Sequence, residues 1–169
     1  MTTETAAPGT APGDQLYQIN VTYVPVEDRL LLRVSTRGGA EFRVWMTRRF
    51  TGLLLGVLVK EMEKYGGVPT IAASQETRTM FKKGAMEKKF EEDKAQGYPL
   101  GEQGILAFRI SAATSPEGIF VVQLQPRTGS GVTLNLNQTL LFMFHNLLSQ
   151  GIAQATWRLD EGGVQGQVH

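Results

Sequence analysis

The chain has 169 residues with a formal net charge of +1, 41% hydrophobic and 20% charged residues, and no cysteine. That balance fits one globular domain, or two small halves sharing a core, and it excludes disulfides, thiolate zinc sites, iron–sulfur clusters and thiol nucleophiles. A charge so near zero gives no global drive toward nucleic acid or membrane. No apolar run reaches bilayer length, Leu53–Val59 and Leu140–Leu148 being far too short.

Residues 1–13 are rich in Thr, Ala, Pro and Gly, so a disordered tail is expected there. This stretch has neither the basic start nor the hydrophobic run of a secretory signal, and a cytoplasmic protein is the expectation. A first unit then spans residues 14–66. Leu16 to Val24 alternates as a strand, with Tyr17, Ile19, Val21 and Tyr23 on one face. Arg29 to Thr36 and Glu41 to Met46 alternate in the same way, with turns at Pro25–Asp28 and Arg37–Gly39. Thr47 is placed to cap a helix that runs to about Tyr65 and stops at Gly66–Gly67.

Residues 67–102 form a connector. Its stretch Gln75–Gln96 has helical propensity and i, i+4 pairs such as Lys83–Glu87, Lys88–Glu92 and Lys89–Asp93. It reads as a solvated helix, or as a docking helix anchored by Phe81 and Phe90.

A second unit spans 103–158, with strands at Ile105–Ala112, Ile119–Gln125 and the alternating Val132, Leu134, Leu136. Asn137 stands at a helix cap, Leu140, Leu141, Phe144, Leu147 and Leu148 lie on one helical stripe, and Gly151 can end the helix. A closing strand at Ile152–Arg158 and a disordered tail at 159–169 complete the expectation. Thr47 and Asn137 lie ninety positions apart, and at that offset Phe42, Val44 and Met46 match Val132, Leu134 and Leu136. Phe50, Leu54, Val57 and Leu58 match Leu140, Phe144, Leu147 and Leu148, and Leu30, Leu32 and Val34 match Phe120, Val122 and Leu124. Shared strand phase, cap and helix phase predict an α+β fold. Its two tandem β-β-β-α repeats, with antiparallel sheets, packed helices and a charged connector, form one domain over 14–158.

Catalytic groups are sparse. Of two histidines, His169 is in the expected tail and His145 is on an apolar helix. No nucleophile-elbow, zinc-protease, P-loop or dinucleotide motif is present. The expectation is a protein that is not an enzyme, with no cofactor, no metal site and no evident small-molecule substrate.

Two surfaces stand out. If Leu30, Leu32 and Val34 face inward, Arg29, Leu31 and Arg33 face out, as do Arg43 and Trp45 on the next strand. The turn then sets Arg33 near Arg43 and Leu31 near Trp45. Arg37 is in the turn, and Arg48 and Arg49 open the helix against its macrodipole. Seven residues (Arg29, Arg33, Arg37, Arg43, Trp45, Arg48 and Arg49) could therefore hold single-stranded DNA or RNA, guanidiniums on phosphates and a base on the indole. In the competing reading that face is covered, and the arginines pair with Glu41, Glu27, Asp28 and connector acids. The second surface is the helix girth left over by the main stripes: Phe142 and Met143 on one helix, Leu53 and Leu55 on the other. It suits self-association or a protein partner, unless the other half's helix covers it. The interaction module, associating as a homo-oligomer through its helices, is placed ahead of the nucleic-acid reading.

The two strand-then-helix units, with the stretch GVTLNLNQTLLFMFHNLL, resemble the layout of the Whirly and Pur-alpha type proteins. The resemblance implies single-stranded nucleic-acid binding through the sheets and association through the helices. The sequence has three clear strands per half where those families have four, and no Whirly-like lysine–glycine signature.

Overall fold

The computed structural model describes residues 15–66, 90–91 and 95–159. Within them the chain is α+β, with a four-stranded sheet, a three-stranded sheet and two α-helices. The first sheet has the order β1 (Leu16–Val24), β2 (Arg29–Thr36), β3 (Glu41–Met46), β4 (Ile105–Leu106). The second has the order β5 (Arg109–Thr114), β6 (Phe120–Gln125), β7 (Val132–Leu136). Neighbours are antiparallel except β3 and β4, which run parallel.

The alternation seen in the sequence sets the two faces. Leu30, Leu32, Val34, Phe42, Val44 and Met46 of the first sheet and Phe120, Val122, Leu124, Val132, Leu134 and Leu136 of the second are buried in one continuous core. Each such side chain contributes about 1.5–3 kcal/mol through the apolar surface it removes from water.

Helix α1 (Arg48–Met62) begins where Thr47 Oγ1 accepts from the Phe50 amide at 3.1 Å. Helix α2 (Gln138–Ala155) begins where Asn137 Oδ1 accepts from the Leu140 amide at 2.8 Å. A short 3-10 turn, Glu63–Tyr65, extends α1, and left-handed Gly66 ends it.

α2 does not stop at Gly151. It runs on to Ala155 and ends at Thr156, at a φ of 54°. Gly151 is an interior packing residue instead: a Cβ there would sit 3.0 Å from Val21 Cγ1 and 3.2 Å from Leu30 Cδ1. The helix of the C-terminal part thus lies on β1 and β2 of the N-terminal sheet, and α1 packs against β2, β3 and α2. This packing also removes the closing strand expected at Ile152–Arg158, because Ile152–Ala155 form the last turn of α2 and 157–159 are irregular. Trp157 seats that end, its ring edge-on to Tyr23 at 5.9 Å and its Nε1 donating to Asp28 at 3.3 Å.

The strand expected as Ile105–Ala112 is two strands. Ala107 N donates to Trp45 O at 2.9 Å and Phe108 N to Gln125 O at 2.7 Å, so the chain changes sheets across two residues. The helix expected over Gln75–Gln96 lies almost wholly outside the described residues, as do both expected tails except for Leu159. The four described positions of that stretch, 90, 91, 95 and 96, belong to no helix.

Candidate functional site

The register puts Arg33 opposite Arg43 and Leu31 opposite Trp45, as the turn length required. On this outward face, however, most of the polar groups are engaged by the chain itself. Residues 90–91 and 95–104 supply the partners, held to the sheet by the Glu41 N to Gly97 O bond and by β4. The Arg33 guanidinium lies 4.3 Å from the Phe90 ring centre, and that of Arg43 lies 4.8 Å from Tyr98. Arg43 also donates to Glu102 O at 2.7 Å, and Trp45 Nε1 to Gln103 O at 2.9 Å.

Glu41 is more than a turn acid. It is 3% exposed, and its carboxylate lies 2.6 Å from Arg43 Nε. A buried carboxylate bonded to one of the two opposed arginines offsets part of their repulsion. Gly104 lets its loop lie on β3, since a Cβ there would come within 2.4 Å of Arg43 O.

The other arginines are spread out. Arg29 meets Glu27 at 3.6 Å in the open, a pair worth little. Arg37 is exposed with Tyr17 beneath it at 5.2 Å. The Tyr17 hydroxyl donates to Glu91 at 2.7 Å, and that bond holds its pKa above the usual phenol value. Arg48 donates to Arg158 O at 3.3 Å, and Arg49 faces solvent.

The apolar candidates divide. Phe142 is 6% and Met143 7% exposed, with Tyr65 packed edge-on to Phe142 at 6.0 Å. The surface expected to be left over for association is covered within the chain at these two residues, where α2 packs against both α1 and the first sheet. Leu55 is partly buried against the core, and Leu53 is exposed. Phe90 is buried under Arg33 rather than offered to a partner, and Phe81 lies outside the described residues.

A different surface opens at the second sheet. Five of the six residues of β5 are exposed, inward-facing Ala112 and Thr114 among them. Phe108 at 58% and Leu106 at 42% exposure lie just ahead of it, with Arg127 stacked on Phe108 at 5.5 Å. At its far end Thr114 Oγ1 donates to Glu61 at 3.3 Å, and Glu61 pairs with Lys64 at 2.8 Å. The last turn of α1 reaches this strand through Glu61. A sequence sign was there: RISAAT has one large apolar residue where the other strands alternate.

Among the described residues no three His, Cys, Asp or Glu side chains gather as a metal site would require. His145 stands alone on α2, where burial lowers its pKa. A cavity between Tyr17, Ser35, Thr36, Glu41 and Glu91 measures about 30 Å³, room for a water or two. No described helix is long and apolar enough to cross a membrane. Comparison with protein-family models, with curated proteins and with solved structures gave no match.

Proposed function

We propose that the chain is a non-enzymatic interaction and assembly module of the cytoplasm that associates with itself. The observation that carries this reading is β5, exposed along almost its whole length and preceded by exposed Leu106 and Phe108. Open strand edges beside apolar side chains recruit other chains. The test is sedimentation equilibrium of the full chain across the micromolar range. A mass that climbs above the monomer with concentration agrees with the reading, and a monomer throughout counts against it.

Within that reading the module is a tandem duplication of one β-β-β-α unit. In support, Thr47 and Asn137 cap their helices through the same atom-to-amide pattern. Gly151 and Glu61, ninety positions apart, each lie against the other half: Gly151 on Val21 and Leu30, Glu61 on Thr114. The match is uneven: α2 lies on β1 of the first unit, whereas α1 meets β5 of the second through Glu61 in its last turn.

A second reading is single-stranded nucleic-acid binding on the first sheet, as the Whirly and Pur-alpha type resemblance implies. Arg33 directly opposite Arg43, with Trp45 one pair along, favours it, because like charges across a ladder do not serve folding. Phe90 and Tyr98 already take the stacking places, which ranks it second. Salt-sensitive quenching of Trp45 by an unstructured oligonucleotide, lost in Trp45→Phe, is the expected result for this reading. A flat titration at low salt removes it.

A further inference from the structure

The hydrogen-bond phase of β5 fixes which groups its open edge presents. Ser115 N donates to Ile119 O at 2.8 Å at the close of the β5–β6 hairpin. Hydrogen-bonded pairs alternate along an antiparallel ladder, so counting back from that bond gives Ala113 and Ser111 to β6. Ile110, Ala112 and Thr114 therefore turn their amides and carbonyls to the open side. β5 is the end strand of its sheet, with no partner on that side among the described residues.

Among the described residues no proline, lysine or helix guards this edge. Open edges are commonly blunted by proline, lysine, bulges or a covering helix. Arg109–Thr114 has no proline or lysine and pairs with β6 in unbroken register. β1 is the contrast: it carries a register shift between Leu16 and Gln18 and has α2 over its inner face. The centre of β5 is Ser111, Ala112 and Ala113, small enough for two backbones to approach without a clash of side chains.

Charge gives the direction and the occupant. Arg109 and Arg127 stand at one end of the β5–β6 hairpin and Glu117 in the turn at the other, all three exposed. Neither Arg109 nor Glu117 has an ion-pair partner among the described residues, and Lys64 near the Glu117 end is already paired to Glu61. A parallel neighbour would set like charges together. An antiparallel copy brings each Arg109 to the Glu117 of the other molecule.

We propose that two chains join β5 to β5 across a two-fold axis at Ala112, making one continuous six-stranded sheet. In that arrangement Ala112 faces its own copy, Ile110 faces Thr114, and Phe108 lies against the hairpin turn at Pro116. The interface is isologous, so every contact occurs twice, and main-chain bonds between Ala112, Ile110 and Thr114 supply its regular part. This rests on the self-associating reading above and assigns it a surface.

The test uses the full chain and its mass in solution by sedimentation equilibrium, with circular dichroism to confirm that each variant is folded. The wild type should be a dimer in the micromolar range. Ala112→Lys sets two ammonium groups face to face on the axis and should raise the dissociation constant at least tenfold. Arg109→Glu and Glu117→Arg should each weaken the dimer, and the double variant Arg109→Glu/Glu117→Arg should restore it, which a merely structural role for either residue would not produce. A dimer that survives Ala112→Lys unchanged overturns the β5 pairing and leaves self-association in place. A wild-type monomer at every concentration overturns both.

Discussion

Arg33 and Arg43 face each other directly across β2 and β3, and each guanidinium rests on an aromatic ring from the segment crossing the sheet. Two cations held so close require an anion within reach. Glu41 supplies it from the same face, under the crossing segment, at 2.6 Å from Arg43. Arg43→Met removes the cation and leaves the Glu41 carboxylate buried alone. The expected loss is about 3 kcal/mol, read as a lower urea midpoint. Glu41→Gln/Arg43→Met should recover most of it, since no buried charge remains. An unchanged midpoint in Arg43→Met would mean that Glu41 reaches water.

Gly151 and Gly131 test how closely the halves and strands approach. Gly151→Leu drives a branched side chain into Val21 and Leu30 and should cost on the order of 2 kcal/mol. In Gly151→Ala the same crowding opposes a gain of about 1 kcal/mol in helix propensity, leaving a small net change. Gly131→Ala should be worse than Gly151→Ala. Its Cβ would fall 2.0 Å from the Leu124 carbonyl oxygen, and backbone gives way less readily than a side chain. Thermal melts of the three variants rank these effects.

His145 makes stability depend on pH. Burial holds its pKa below the ordinary 6.5, so the unfolded chain takes up the proton first as pH falls. The stabilisation is complete above that value and is lost as pH drops through the lower folded pKa. The slope is at most about 1.4 kcal/mol per pH unit, one proton's worth. Chemical unfolding at pH 7.5 and at about 5 should show lower stability in acid. His145→Leu should flatten that part of the profile, and an equal slope in the variant would assign it to other groups.

Tyr23 reports on the seat of the C-terminal end. Its hydroxyl donates to Asp28 at 2.7 Å, and that bond, with partial desolvation and the negative charge of the same carboxylate, raises its pKa above the usual phenol value. Phenolate absorbance during an alkaline titration should include this late step. Asp28→Asn should move it down, whereas Trp157→Ala, which leaves the carboxylate, should not.

The local patterns were legible and the distant contacts were not. Alternation gave the strands, and turn lengths gave the pairing of Arg33 with Arg43 and Leu31 with Trp45. Cap chemistry gave Thr47 and Asn137. Each is fixed by residues a few positions apart. Gly151 misled because a glycine near a helix end ordinarily marks a C-cap, and only β1, 130 positions earlier, shows that close packing is its role here. Phe142 and Met143 looked like spare apolar girth because the sequence does not say that Tyr65 and the opposite half cover them. Glu41 sits beside a turn, so its burial against Arg43 depends on residues 95–104, which no local rule brings there. The exposure of β5 is likewise set by how distant elements pack, which no local pattern reveals.

The seat of α2 on β1 has a cost during synthesis. β1 and β2 are synthesised before the helix that shields their apolar face, which follows more than a hundred residues later. At ordinary translation rates that interval is on the order of ten seconds. Through it Val21 and Leu30 lack the cover that α2 gives them. Circular permutants that place α2 ahead of β1 should accumulate as soluble protein at temperatures where the natural order aggregates.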